Sequence, residues 1–255
     1  MTRVAIIQFD TVWQDAEANL QKLSETFEAI AGDSYDVAVL PELFHCGFSM
    51  QSERFAETRQ GRVYETLKTL AAHYRIYIIA GAALFDTEGQ VRNCALVFDR
   101  KGNELACYSK NHTFNYAGEG RHYQAGNRQV LFEIDGIPCS VFICYDLRFP
   151  ELFRKVMPQA EMVFVIANWP STRRKHWEIL LQARAIENQC FVVGVNRIGE
   201  DGNGLQYAGG SMVVDPFGEI LSFASADQAV QITELPVERI KRVREQYPFL
   251  KDMKK

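Results

Sequence analysis

The feature that most constrains the fold is a series of short apolar runs, rich in Val and Ile, that alternate with segments of helical spacing. Within each run apolar residues follow one another directly, which predicts strands buried on both faces. Between the runs, apolar residues spaced by three and four predict helices that cover those faces. The predicted strands include residues 3–10, 36–42, 76–84, 162–169 and 190–198, and the predicted helices are residues 15–30, 62–74 and 176–188, with a further helix beginning at 152–157.

Other predicted strands are joined by tight turns that contain Gly, Asn or Asp. They lie at residues 91–100, 104–110, 129–134 and 138–145, followed by short strands between 207 and 235 and an amphipathic segment at 237–246. Hairpins inside an alternating pattern predict an α/β fold with mixed sheets. The glycine-rich segment 199–204 is predicted to be a loop. Since no repeat or linker interrupts the chain, we expect one domain over residues 1–255, with a C-terminal tail from about residue 236.

The charge balance argues against a nucleic-acid partner, and the lengths of the apolar runs argue against a membrane span. The 255 residues contain 28 Lys and Arg against 32 Asp and Glu, a formal charge of −4, so no basic excess is available for a phosphate backbone. The longest uncharged apolar stretch, residues 76–85, is about half the length of a membrane span. The apolar run at the start of the chain is too short for a signal-peptide core. We therefore expect a cytoplasmic protein.

The six cysteines are scattered and form no Cys-x-x-Cys pair. This spacing is not typical of a zinc ribbon or a dithiol redox site, so we expect free thiols and no bound metal. Most of them are predicted to be small buried apolar residues.

Three predicted strands end in polar residues that core packing does not require. Glu42 ends one strand, Lys110 ends another, and Cys144 lies where a third gives way to a turn and a dense polar run. Each has a structural interpretation: a charged side chain facing water, or a thiol buried in the core. Each of the three residues also has a chemical interpretation. A desolvated carboxylate can act as a base, and an ammonium can stabilise an oxyanion. A thiol on such a turn has the backbone N–H of Tyr145 beside it as an oxyanion donor.

Two other thiol chemistries fit the sequence less well. Arg148 follows Cys144 too closely to wrap a phosphate in a phosphatase loop, and none of the five histidines stands in a recognisable cysteine-protease signature.

Three motifs in one order make the sequence similar to the nitrilase (carbon–nitrogen hydrolase) superfamily. They lie at residues 41–48, 108–112 and 143–151, and the resemblance extends from residue 3 to about residue 235. Within the superfamily the chain most resembles the omega-amidases that hydrolyse 2-oxoglutaramate. The supporting stretches are residues 47–50, 168–177, 183–189 and 201–204.

The resemblance implies a four-layer α-β-β-α sandwich of two mixed sheets with helices on the outer faces. It also implies a catalytic triad at Glu42, Lys110 and Cys144, and no cofactor. A further glutamate follows the lysine in this family, and Glu119 is the candidate because it is the only Glu between Lys110 and Gly126.

The implied reaction is hydrolysis of the terminal carboxamide of a dicarboxylic acid monoamide, such as 2-oxoglutaramate or succinamate, to acid and ammonia through a thioester on Cys144. Such a substrate has an anionic end, which favours an arginine. By position the candidates are Arg173 and Arg148, with Phe48, Tyr116 and Trp169 as pocket walls. For Arg148 an ion pair with Asp146 is the alternative interpretation.

The sequence is also compatible with other activities. The chain could be an N-carbamoyl amino acid amidohydrolase, an aliphatic amidase, a nitrilase, or a catalytically silent member that binds a partner or metabolite. The resemblance further implies a homodimer or a larger homo-oligomer. Residues 148–155 and 156–166 are the predicted contact surfaces.

Overall fold

The fold contains two six-stranded sheets, and the computed structural model describes residues 1–254. Lys255, the last residue of the predicted tail, lies outside the described residues. In spatial order the first sheet contains β14 (Val230–Leu235), β1 (Thr2–Ile7), β2 (Val37–Val39), β3 (Tyr77–Phe85), β4 (Val91–Phe98) and β5 (Glu104–Ser109). Strands β1, β2 and β3 run parallel and the other neighbours pair antiparallel, so this sheet is mixed.

The second sheet is mixed in the same way. In spatial order it contains β13 (Ile220–Ala224), β12 (Ser211–Val214), β9 (Phe191–Asn196), β8 (Met162–Ala167), β7 (Ile137–Ile143) and β6 (Phe132–Ile134). Its three central strands, β7, β8 and β9, are parallel. A separate two-stranded hairpin joins β10 (Ile198–Glu200) to β11 (Gln206–Ala208).

Helices cover the outer face of each sheet. The α-helices of residues 1–254 are α1 (Ala16–Ala29), α2 (Ser52–Phe55), α3 (Arg62–Tyr74), α4 (Pro150–Arg154), α5 (Arg174–Asn188) and α6 (Glu238–Gln246). Successive residues of β1 show the layering, because Val4 and Ile6 lie in the core between the sheets while Ala5 and Ile7 pack with α1 and α3. Helices α4 and α5 pack on the second sheet. The predicted four-layer α-β-β-α sandwich is therefore confirmed.

Three differences from the sequence prediction concern the fold. Strand β2 is shorter than residues 36–42, because Pro41 has no N–H to donate to a neighbouring strand. The predicted loop at 199–204 forms part of the β10–β11 hairpin. The proposed contact surface at residues 156–166 is wrong in the main, because the segment includes β8, whose residues are buried in the centre of a sheet.

The C-terminal helix α6 falls within the predicted segment 237–246. It buries Ile240 and Val243, and the Arg244 guanidinium donates hydrogen bonds to the carbonyl oxygens of Gln189 (3.0 Å) and Ala160 (2.6 Å). Across residues 1–254, every helix is too short or too polar to traverse a lipid bilayer.

Candidate active site

Two buried carboxylates hold one buried ammonium between the sheets. Lys110 Nζ donates to Glu42 Oε1 at 2.8 Å and to both carboxylate oxygens of Glu119, at 3.0 and 2.9 Å. All three side chains are at most 1% exposed. Burial alone lowers the pKa of a lysine, but here the charges of Glu119 and Glu42 outweigh burial and raise the pKa of Lys110. The ammonium therefore stays charged.

Glu42 is positioned by the end of β2 and by its neighbour β3. Leu43, the next residue, has a positive φ of 46°, so the chain turns sharply at this point. The turn passes so close to Gly81 of β3 that any side chain there would collide with the Glu42 Cα and the Leu43 nitrogen. Glu42 Oε2 also accepts a hydrogen bond from the backbone N–H of Asn168 at 2.8 Å. The carboxylate is thus fixed from both sheets.

Two asparagines that the sequence did not identify as site residues complete this network. Asn93 of β4 donates to Glu42 Oε1 at 2.8 Å and to Glu119 Oε1 at 2.9 Å. The Asn168 side chain donates to the Glu42 carbonyl oxygen at 2.8 Å. In the sequence, Asn93 could have been identified as an amide inside a predicted strand that is mostly apolar. Asn168 could have been identified as a polar residue that directly follows the apolar strand β8.

Cys144 lies on a strained turn at the end of β7. Its φ is +46°, in the left-handed region that non-glycine residues rarely adopt, and it begins a short 3-10 helix, Cys144–Arg148. N–H groups in the first turn of a helix have no partner within it, so the Tyr145 N–H can serve as a donor. The Cys144 thiol lies 3.9 Å from the Asn168 carbonyl oxygen. Its position and backbone are those of a nucleophile presented on a sharp turn.

Asp146 fixes this turn from inside the protein. Its Oδ2 accepts from the Tyr108 hydroxyl at 2.8 Å and from the Ile143 N–H at 3.2 Å, and its Oδ1 accepts from the His112 N–H at 2.8 Å. The carboxylate therefore connects the Cys144 turn to the segment that carries Lys110. The predicted ion pair between Asp146 and Arg148 is wrong, because these other donors occupy the carboxylate.

The electrostatics of Cys144 favour a neutral thiol before reaction. Burial raises the pKa of the thiol well above its ordinary value, the charge of Glu42 raises it further, and the Lys110 ammonium opposes them. Because the thiolate is the nucleophilic form of cysteine, a thiol in this environment could react only with a nearby base to remove its proton.

A cavity of about 530 Å³ opens onto Cys144. Four predicted binding residues line it: Phe48, Arg148, Trp169 and Arg173. Within residues 1–254 no carboxylate accepts a hydrogen bond from Arg148. Its guanidinium lies 3.1 Å from His176 Nδ1 and 4.8 Å from the Trp169 ring centroid.

Tyr116 is not a wall of this cavity, so that prediction is corrected. Its side chain is 91% exposed, because the 3-10 turn Asn115–Ala117 directs it outward. Phe114 lines the cavity instead, with the Arg173 guanidinium 5.3 Å from its ring centroid.

No group of three or more His, Cys, Asp or Glu side chains within residues 1–254 is arranged to hold a metal ion. The site offers a thiol, a carboxylate beside it, a fixed ammonium and a backbone N–H, which together are the parts needed for attack on an amide carbonyl.

This chain is similar in sequence and fold to known carbon–nitrogen hydrolases. The carbon-nitrogen hydrolase family matches residues 3–245. The omega-amidase YafV of Escherichia coli K12 is 38% identical over 251 residues, which are 98% of this chain and 96% of that protein. The 2-oxoglutaramate amidase of Bacillus subtilis 168 is 34% identical over 254 residues, 99% and 97% of the two chains.

Solved structures agree with this assignment. XC1258 of Xanthomonas campestris, a CN-hydrolase superfamily protein, superimposes with a TM-score of 0.94 at 34% identity, covering 100% of this chain and 97% of that one. The fold, the family match and the near full-length relatives lead to one conclusion. The chain belongs to the carbon–nitrogen hydrolase family and is a hydrolase acting on amide C–N bonds.

Proposed function

We propose that the enzyme hydrolyses the terminal carboxamide of small dicarboxylic acid monoamides, 2-oxoglutaramate and succinamate among them, to the diacid and ammonia. The main support for this reaction is the buried cluster of Glu42, Lys110 and Glu119 next to Cys144. The substrate class is supported by two cavity arginines and by the omega-amidase and 2-oxoglutaramate amidase names of the relatives.

In the first half-reaction Cys144 is the nucleophile and Glu42 the general base. As Sγ attacks the amide carbon, Glu42 accepts the thiol proton. The carbonyl oxygen becomes an oxyanion that Lys110 Nζ and the Tyr145 N–H stabilise, each donor contributing roughly 3 kcal/mol. Glu42 then gives its proton to the leaving nitrogen, the C–N bond breaks, and ammonia departs from a thioester on Cys144.

In the second half-reaction water replaces ammonia. Glu42 removes a proton from the water that attacks the thioester carbon, the C–S bond breaks, and the proton returns to the sulfur as the diacid leaves. Glu119 acts through Lys110: two of the hydrogen bonds made by the ammonium go to its carboxylate, which keeps Nζ charged and in place.

The anionic end of the substrate is assigned to Arg173 and Arg148. Both guanidinium groups line the cavity, and each lies over an aromatic ring that restricts its movement, Phe114 for Arg173 and Trp169 for Arg148. A planar guanidinium held in this way can bind a carboxylate through two parallel hydrogen bonds. Phe48 and Trp169 form apolar walls.

An ammonia-release assay over a substrate panel tests this proposal. We expect turnover of 2-oxoglutaramate and succinamate, and at most weak turnover of N-carbamoyl amino acids and of neutral aliphatic amides. Arg173→Ala should weaken kcat/KM for the acidic amides by about tenfold or more and leave the neutral ones nearly unchanged. Preference for a carbamoyl amino acid or a neutral amide, or equal losses on both substrate types, would contradict the assignment.

A further inference from the structure

One wall of the cavity has no part in the proposed reaction or in the proposed binding of the substrate carboxylate. Trp13, in the loop between β1 and α1, lines the same cavity as Cys144. Glycines flank its indole on two sides. A methyl group placed on Gly47 would lie 2.9 Å from Trp13 Cε3, and one placed on Gly202 would collide with Trp13 Cδ1 and Nε1. The indole thus rests directly on two backbone segments.

The glycine at position 202 is informative because the backbone conformation there is one that other residues can also adopt. Its φ lies outside the left-handed region and the residue is exposed, so most side chains would fit the local conformation. The indole of Trp13 is what a side chain there would meet. The absence of a side chain at position 202 therefore allows the hairpin to close onto Trp13.

A buried arginine joins the two segments that carry this wall. Arg197 is 0% exposed, and its Nη2 donates to the carbonyl oxygens of Thr11 at 3.0 Å and Glu200 at 3.1 Å. The first acceptor belongs to the Trp13 loop and the second to the β10–β11 hairpin. Asp201 fixes the hairpin turn by accepting from the N–H groups of Asn203 and Leu205, at 2.8 and 3.0 Å.

The Trp13 loop is also fixed on its other side. The Gln14 backbone N–H donates to the Cys46 carbonyl oxygen at 3.1 Å, and the Gln14 side chain donates to Ser49 Oγ at 2.7 Å. These bonds connect the loop to the segment that follows Glu42. The indole therefore has little freedom to retreat when a ligand presses against it.

We propose that Trp13 is a specificity-determining residue that limits the length of the acyl group. The inference rests on the proposed function, and it predicts that a longer dicarboxylic acid monoamide is turned over less efficiently than a shorter one. A flexible aliphatic wall could adjust to one more methylene, whereas an indole held between backbone segments cannot.

The test compares kcat/KM for the monoamides of succinic, glutaric and adipic acids in the full-length enzyme. Trp13→Ala should raise the adipic-to-succinic ratio by about tenfold or more, the usual discrimination for one or two methylenes in an apolar pocket. Gly202→Ala should push the indole into the cavity and lower the same ratio. Val12→Ala, at an exposed position next to Trp13 that does not line the cavity, should leave the ratio unchanged.

The variants and the wild-type enzyme test the role of Trp13 and the proposed function separately. If Trp13→Ala fails to fold, Gly202→Ala carries the test, because that residue is exposed. Unchanged ratios in both variants, with an active wild type, would overturn the role of Trp13 alone. A wild type that releases no ammonia from any of the three monoamides would overturn the proposed function, and this inference with it.

Discussion

The Lys110 ammonium is shielded from water, and its hydrogen bonds all go to two carboxylates. Its partners are Glu42 at 2.8 Å and Glu119 at 2.9 and 3.0 Å, and all three side chains are buried. A buried ion pair of this kind adds little net stability compared with an apolar core, but removing one partner leaves uncompensated charge behind. This small net contribution to stability is consistent with the proposed role of Lys110 in the reaction. The fold can hold the ammonium in its interior only while both carboxylates are present.

Lys110→Ala should lose activity and stability together. Loss of the oxyanion donor should lower kcat by about a hundredfold to a thousandfold, and the two unpaired carboxylates should lower the free energy of unfolding by roughly 3–5 kcal/mol. Ammonia release and urea unfolding measure the two effects. The matched control is Lys68→Ala, whose ion pair with Glu65 is about half exposed, and it should change neither. A Lys110→Ala enzyme within tenfold of wild-type kcat would be inconsistent with this role.

At the scale of elements, the Cys144 turn depends on one carboxylate. Asp146 accepts hydrogen bonds from Tyr108, Ile143 and His112, and Arg184 of α5 donates to the Leu147 carbonyl oxygen at 2.7 and 3.1 Å. Strand β7, the lysine segment and α5 are thus joined at the turn. These bonds hold Cys144 in its left-handed conformation.

Asp146→Asn should disturb this turn, because an amide offers one acceptor oxygen where the carboxylate offers two. We expect a fall in kcat of about tenfold or more with little change in KM, and a loss of roughly 1–3 kcal/mol in stability from unsatisfied donors. Tyr108→Phe removes a single donor and should cost about 1 kcal/mol. Steady-state kinetics and urea unfolding of both variants check this, and equal kcat values for Asp146→Asn and wild type would rule it out.

The sequence predicted most elements because local rules determine them. Apolar runs and helical spacing located the sandwich strands and helices, and the three motifs located Glu42, Lys110 and Cys144. Contacts between residues far apart in sequence, and the directions of loop side chains, were not predictable. The position of Asn93 beside Glu42 depends on strand register, and the outward direction of Tyr116 depends on one 3-10 turn. The predicted partner of Arg148 was wrong for a related reason, since two of the three donors to Asp146, Tyr108 and His112, lie 38 and 34 residues away in sequence.

At the scale of the whole molecule, alkaline pH should destabilise the fold through buried thiols. Burial raises the pKa of Cys190 to about 12 and raises the pKa values of Cys46 and Cys139 as well. Because the folded pKa is the higher one, the unfolded chain loses these protons first. Their contribution to stability is complete below the unfolded pKa of about 8.5 and is lost as pH rises toward the folded value.

The expected result is a free energy of unfolding that falls steeply between about pH 9 and pH 11. Cys190→Ala should reduce that slope by about 1.4 kcal/mol per pH unit, the contribution of one proton. Urea unfolding in the presence of a reductant measures both proteins. Identical slopes would show that Cys190 does not titrate differently in the folded and unfolded states.

The single domain over residues 1–255, the homo-oligomeric state and the cytoplasmic location stay predictions. The proposed reaction depends on a covalent acyl intermediate on the sulfur of Cys144. Rapid acid quenching of the enzyme during turnover of 2-oxoglutaramate, followed by intact-protein and peptide mass measurement, tests it most directly. We expect one added acyl group on the peptide containing Cys144, removed by hydroxylamine and absent from Cys144→Ala, which should also release no ammonia. Ammonia release at the wild-type rate from Cys144→Ala, or an acyl group on a different residue, would contradict it.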